Sequence, residues 1–188
     1  MLSEIIVKAR AAQKQWEKTP YSEKAKRLKK AERFLGRSVD EITRVIQEDN
    51  GKLALDALAT EVLPAILAMG FYIKNGRKFA RSRAVGGRSL LMFNKASRMT
   101  FKPYGVVGVI SPWNYPFAIP FSEVVMALLA GNAVILKTAS VTPHVGRMIE
   151  RIFTDAGLPD GLFTYVEMQG KEAGPAFISG GIDKLFFT

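Results

Sequence analysis

Asn114 is the side chain in this sequence best placed to do chemistry. It sits in the run Ser111-Pro112-Trp113-Asn114-Tyr115-Pro116, after the β-branched apolar segment Val106–Ile110 and before an apolar, helix-like segment from Phe117. That pattern predicts a strand delivering an amide to a strand–helix junction. Pro112 and Pro116 fix the backbone on either side, and two aromatic rings add bulk. An amide held there can donate a hydrogen bond to an oxygen that gains charge during a reaction.

Two further predicted strands end on the same sheet edge. Ala133–Lys137 ends in Lys137 and leads into Thr138, Ala139 and Ser140, and Lys184–Phe187 leads into Thr188. An edge carrying a lysine, hydroxyls and an indole suits a nucleotide. The Lys137 ammonium and the Ser140 hydroxyl could reach ribose hydroxyls or a phosphate, while Pro112 and Trp113 pack on the carbohydrate. Each residue also has a plainer role open to it. Trp113 could be core packing, and Lys137 a solvated strand end.

Other chemistries are excluded or weak. No Gly-x-Gly-x-x-Gly follows any of these strands, and Gly105 and Gly108 lie before or within a strand rather than in a phosphate-cradling loop. Gly170 and Gly174, at the start of a short predicted helix, are candidates for close backbone approach to a ligand. The chain has no cysteine and a single histidine, so it has no thiolate nucleophile, no disulfide framework and no zinc site without several carboxylate partners. That histidine, His144, follows Thr142-Pro143 on the first turn of a predicted helix and reads as a surface residue.

The elements that must position these residues fall into three segments. Residues 1–80 read as helical. Residues 2–17 are amphipathic and stop at Thr19-Pro20. Ser22 is a plausible N-cap for a helix running toward Asp49, with a break near Gly36 and a stop at Asn50-Gly51. A third helix starts near Lys52, is kinked by Pro64 and is ended or interrupted at Asn75-Gly76. Residues 81–103 read as a β-hairpin with connecting strands, its extended runs at 89–93 and 97–102 around Asn94-Lys95-Ala96. Residues 104–188 alternate apolar strands with helices, including one opened by Thr142-Pro143 and closed by Gly157. The fold class is therefore α/β: N-terminal helices, then a Rossmann-like parallel sheet with helices on both faces, plus the hairpin. Such sheets bind ligands at the carboxyl ends of their strands.

Bulk composition is that of a globular protein, but the formal net charge is +10. The excess is concentrated in the Lys24–Lys30 region and in residues 74–88. It is either a surface for polyanions or the solvated side of amphipathic helices. Leu28, Ala31, Phe34 and Leu35 fall on the apolar side of the first cluster, and no nucleic-acid motif with interleaved aromatics is present. The most apolar run, 117–130, contains Ser122 and Glu123. No nucleic acid, no membrane and a cytoplasmic location are the expectations.

Several blocks occur in order along nearly the whole chain: Pro103-Tyr104-Gly105-Val106-Val107-Gly108-Val109-Ile110-Ser111-Pro112-Trp113-Asn114-Tyr115-Pro116, then Ala127-Leu128-Leu129-Ala130-Gly131-Asn132-Ala133-Val134-Ile135-Leu136-Lys137, then Ala156-Gly157-Leu158-Pro159-Asp160-Gly161, and Ile182-Asp183-Lys184-Leu185-Phe186-Phe187-Thr188. Asn50-Gly51-Lys52 and Glu61 precede them. Together these blocks resemble the NAD(P)-dependent aldehyde dehydrogenase superfamily. The resemblance implies a cysteine thiolate that attacks a small-molecule aldehyde, an oxyanion held by an amide and a backbone N–H, hydride transfer to NAD or NADP, and a glutamate that activates water. It implies that Asn114 is the oxyanion amide and that Lys137 and Ser140 lie at the adenine ribose. Ile110, Ser111, Pro112 and Trp113 would line the cofactor cleft, Phe187 and Thr188 would lie beside the pyrophosphate, and Gly170 and Gly174 under the adenine side. It also implies a homo-oligomer for the complete enzyme and no metal.

The departures shape the expectation. The chain lacks the cysteine and stops at Thr188, before the family's Gly-Ser. It is expected to be the N-terminal, cofactor-binding portion of such an enzyme, with 104–188 an incomplete nucleotide-binding domain, and inactive alone. Ser140 replaces a glutamate common in NAD-preferring members, and Thr138-Ala139 replaces Pro-Ser. NADP should therefore be tolerated as well as or better than NAD. Met168 stands where a glycine is usual. A non-catalytic nucleotide-binding or assembly module is the alternative, and polyanion binding through the basic helical face a weaker one.

Overall fold

A computed structural model describes residues 2–85 and 95–188. The helical segment comprises α1 (Leu2–Lys18), α2 (Tyr21–Arg37), α3 (Val39–Asn50), α4 (Ala54–Ala57), a π-turn (Leu58–Val62) and α5 (Leu63–Ala80). A two-stranded antiparallel ribbon follows, β1 (Arg83–Val85) with β2 (Ser97–Met99). The remainder is β3 (Val106–Ile110), α6 (Ala118–Leu129), β4 (Ala133–Lys137), α7 (Pro143–Asp155), β5 (Phe163–Tyr165), α8 (Gly170–Gly180) and β6 (Lys184–Phe187).

The four long-range strands form one parallel sheet in the order β5-β4-β3-β6. β3 and β4 are buried along their whole lengths, which is why they read as unbroken apolar runs. The chain steps from β3 to β4 to β5 in one direction, then returns to add β6 on the other side of β3. That reversal is a topological switch point at the carboxyl ends of β3 and β6, the position where open α/β sheets bind ligands. Register places Ile110 opposite Lys137 on one side and Phe187 on the other, so three strand ends are level.

α6 and α7 bury an aromatic row in which Phe117, Phe121 and Phe153 stack at centroid separations of 5.2 and 5.4 Å. α1 and α8 pack together and against β3. α1 buries Ile6, Ala9, Ala12 and Trp16, one helical face, and the Trp16 indole donates to the Leu128 carbonyl at 2.8 Å. Lys24 departs from the expected solvated stripe. It is buried, with its ammonium 5.8 Å from the Trp16 ring centroid, and burial pushes its pKa down.

Several element boundaries differ from the sequence pattern. α2 starts at Tyr21 with Pro20 as its cap, so Ser22 lies inside the helix. The break near Gly36 falls at Ser38, and Gly51 closes α3 in the left-handed conformation with φ 74°. Pro64 does not end its helix. The Leu63 amide reaches back to the Leu58 carbonyl, five residues away, and this π-turn absorbs the bond that proline cannot make. Nor does Asn75-Gly76 interrupt it. Gly76 leaves room for Tyr21, whose hydroxyl donates to the Tyr72 carbonyl at 2.8 Å and would lie 2.5 Å from any Cβ at Gly76. The result is one continuous 27-residue helix, Ala54–Ala80, long and apolar enough by length and composition to cross a membrane. In this fold it packs on α2 and α6 through Ala65, Met69 and Ile73. Of the hairpin, β2 falls within the expected second run but pairs with Arg83–Val85, and the run at 89–93 lies outside the described residues.

Asp183 ties the two ends of the chain to β3. Its Oδ2 accepts from Arg10 at 2.8 Å and from the Val106 amide at 2.7 Å. Gly105, at φ 125°, makes this approach possible, because a Cβ there would lie 2.2 Å from that oxygen. Burial pushes the Asp183 carboxyl up, but the Arg10 and Val106 hydrogen bonds and the Arg10 charge outweigh it and hold the group below the usual carboxylate range. A carboxylate with a lowered folded pKa contributes stability above its unfolded value near ~3.9, and that contribution is lost as pH falls through the folded value. Denaturant midpoints measured across the acid limb should therefore fall less steeply below about pH 4 in Asp183→Asn than in the parent chain.

Candidate active site at the strand ends

β3 stops at Ile110, and the Ser111 amide adds one more ladder bond to the Lys137 carbonyl at 3.0 Å. The chain then turns through Pro112 to Pro116. Asn114 is exposed, and its Oδ1 accepts from the following Tyr115 amide at 3.1 Å. That bond fixes which end of the amide faces outward: Nδ2 has no protein partner among the described residues and is free to donate. Trp113 is 63% exposed, so it is not the core residue that composition alone would allow. Ser111 is buried, and its Oγ has no hydrogen-bond partner among the described residues.

The turn is anchored from outside. Lys52, in the short link between α3 and α4, donates to the Asn114 carbonyl at 2.8 Å and to Glu61 Oε1 at 2.5 Å. Its ammonium also lies 4.1 Å from the centroid of the Tyr115 ring. Glu61, fully buried in the π-turn, accepts from the Phe117 and Ala118 amides at 2.8 and 3.3 Å through Oε2. These are open donors at the start of α6, and a carboxylate there also meets the positive end of the helix dipole.

Lys137 is 3% exposed, so it is not a solvated strand end. Among the described residues its ammonium makes no ion pair or hydrogen bond, and burial pushes its pKa down. Gly170 lies over it, close enough that a Cβ there would be 3.7 Å from the ammonium. Beside Lys137 opens a cleft of about 280 Å³ whose lining includes Thr138, Ala139, Ser140, Tyr165, Glu167 and Met168. Ser140 is exposed at its rim. Thr138 donates to the Thr142 carbonyl, and Glu167 is paired with Arg147. Gly174, one turn further along α8, has open space around it.

At the switch point, the Thr188 amide donates to the Ile110 carbonyl at 3.2 Å, and Phe187 is 75% exposed. The Thr188 hydroxyl donates to Glu123 Oε1 at 3.1 Å. Glu123 Oε2 is buried without a partner among the described residues; burial pushes the carboxyl pKa up and the Thr188 bond only partly offsets this. The fold thus brings residues 110–114, Lys137, Ser140, Gly170, Phe187 and Thr188 to one edge. Sequence pattern alone did not assign a role to Glu123, Lys52 or Glu61, although a carboxylate inside the most apolar run was a usable signal. His144 is exposed, as its position suggested, and its Nδ1 lies 2.7 Å from Asp49.

A buried ammonium without a partner among the described residues lowers stability. A lysine with a lowered folded pKa binds fewer protons than the unfolded chain just below ~10.4, so its cost shrinks as pH rises through that window. Lys137→Met should raise the thermal midpoint at neutral pH by roughly 2–4 °C, equivalent to about 1 kcal/mol. Repeating the melts at rising pH should narrow the gap between the two proteins.

The model of the aldehyde dehydrogenase family matches residues 2–188. The 4,4'-diapolycopene aldehyde oxidase of Methylomonas sp is 36% identical over 188 residues, covering 100% of this chain and 35% of that protein. The alpha-ketoglutarate semialdehyde dehydrogenase of Haloferax volcanii is 36% identical over 179 residues, covering 95% of this chain and 36% of its own length. Among solved structures, an NAD-dependent benzaldehyde dehydrogenase from Corynebacterium glutamicum superposes with a TM-score of 0.86 at 30% identity, over 99% of this chain and 40% of that one. The chain spans about 35% of the length of the first of these relatives. With the family model matched from residue 2 to residue 188, the chain belongs to the aldehyde dehydrogenase family.

Proposed function

We propose that this chain forms the dinucleotide cleft and the amide half of the oxyanion site of an enzyme that oxidises a small-molecule aldehyde to a carboxylic acid with NAD or NADP. The observation that carries this is the orientation of Asn114, whose Oδ1 is occupied by the Tyr115 amide and whose Nδ2 is free at the switch point. A donor fixed before the reaction loses no reorganisation energy when an aldehyde oxygen gains charge. The family model over the whole chain supports the same reading.

The residues present fit a dinucleotide. The unpartnered Lys137 ammonium supports contact with ribose hydroxyls, and Ser140 stands at the rim of the adjoining cleft. Ile110, Ser111, Pro112 and Trp113 would line the cleft. Phe187 and Thr188 would lie beside the pyrophosphate, and Gly170 and Gly174 beneath the adenine side. The bound dinucleotide would supply the hydride acceptor. Exposed Trp113 would shield the reacting carbon from water. No cysteine is among these 188 residues, so the family's thiolate chemistry needs a nucleophile from elsewhere. We read the β1–β2 ribbon, exposed along both strands, as a pairing surface for copies of the complete enzyme.

Ser140 supports NADP acceptance, because a neutral hydroxyl does not repel a 2′-phosphate. The carboxylate that does reach this cleft, Glu167, is paired with Arg147. Fluorescence titration should show NADPH binding at least as tightly as NADH. Ser140→Glu should weaken NADPH by roughly tenfold, about 1.4 kcal/mol of added repulsion, and spare NADH. A strong NADH preference in the parent chain overturns the NADP assignment. In a form extended to the family's full length, Asn114→Ala should lower kcat by about 100- to 1,000-fold with dinucleotide affinity unchanged. An unchanged kcat there removes Asn114 from the oxyanion site.

A further inference from the structure

We infer that Lys52 and Glu61 are positioning residues for Asn114, acting as one clamp, half-buried at Lys52 and fully buried at Glu61, that sets the direction of its amide. The inference rests on the assignment of Asn114 as an oxyanion donor. The turn after β3 has little holding of its own. Trp113, Asn114 and Tyr115 are all exposed, and among the described residues the side-chain bond within the turn is the one from the Tyr115 amide to Asn114 Oδ1. The Asn114 carbonyl is held instead by the Lys52 ammonium at 2.8 Å, under the Tyr115 ring. That ammonium is held in turn by Glu61, whose other oxygen is fixed by the Phe117 and Ala118 amides.

Each member is located by a local feature of sequence. Gly51 ends α3 in a left-handed conformation and releases Lys52 toward the turn. Pro64 cannot continue the α-helical ladder, and the π-turn that results brings both Glu61 and Val62 to the buried side. A π-turn at the residue that holds a reactive loop is a known association. The formal charges of the clamp cancel, one cation against one carboxylate. Its role is therefore geometric, to hold one carbonyl so that the next amide and the Asn114 side chain keep their register.

The Tyr115 amide reports this directly, because Asn114 Oδ1 is its acceptor. Hydrogen exchange and ¹H–¹⁵N spectra of the full 188-residue chain should show a protected Tyr115 amide and a distinct Asn114 side-chain pair. In Lys52→Met the Tyr115 exchange rate should rise at least about tenfold relative to the β3 amides of Val107 and Val109, and the Asn114 pair should move. Lys52→Arg should restore both signals. Asn114→Ala should abolish Tyr115 protection with the clamp intact. Glu61→Gln carries the same test should Lys52→Met fail to fold. Unchanged Tyr115 protection and Asn114 signals in a Lys52→Met or Glu61→Gln chain whose β3 amides stay protected overturn the inference. No dinucleotide or aldehyde enters this measurement. The oxyanion assignment fails separately, on the kcat of Asn114→Ala.

Discussion

The main-chain pairing of β3 is the constraint on which the rest of this molecule depends. Every residue of the strand is buried, and both of its edges are taken, by β4 on one side and β6 on the other. A buried peptide group left unpaired is costly, so the two ends of β3 also need partners. At its start, Asn132 accepts from the Gly105 amide, and Asp183 accepts from Val106. At its finish, Ser111 and Thr188 extend the ladder by one bond on each side. The candidate edge therefore begins where regular pairing runs out, with no slack between the scaffold and the turn that carries Asn114.

Much of this was legible in sequence because parallel strands buried on both faces leave an unmistakable mark. Val106–Ile110 and Ala133–Lys137 are continuous apolar runs, and both are strands with the expected bounds. The Thr142-Pro143 helix start is also where the pattern put it, although the Thr142 hydroxyl turns to the Ala139 carbonyl and Asp49 of α3 accepts from the Val145 amide instead. Local chemistry fixed the place of that cap, and tertiary structure chose the residue that satisfies it.

What sequence did not reveal lies mostly in contacts between residues far apart in the chain. Asn75-Gly76 and Lys24 each carry a strong local preference that a distant neighbour overrides, while Pro64 is accommodated within its own helix. A π-turn accommodates Pro64, Tyr21 fills the space over Gly76, and Trp16 receives the Lys24 ammonium. Glu61 was hidden for the same reason. Its meaning lies in two amides more than fifty residues away, and nothing in the flanking residues announces a buried carboxylate. Charge was a similarly ambiguous guide. The net excess of +10 is real, yet Arg10, Arg147 and Arg151 are engaged with Asp183, Glu167 and Glu41, and Lys24 and Lys137 are buried.

The Asp49 cap on α7 has a consequence for how the chain acquires its shape. The first turn of α7 is completed by a residue 96 positions earlier, and Arg10 reaches across 173 positions to Asp183. Contacts of such separation must wait for the loops between them to close, and that entropy is spent before the contact repays it. The N-terminal helices cannot finish docking until β6 is in hand. On a ribosome, the first helix would be held in waiting through nearly the entire synthesis of what it covers, its apolar face open to whatever meets it first.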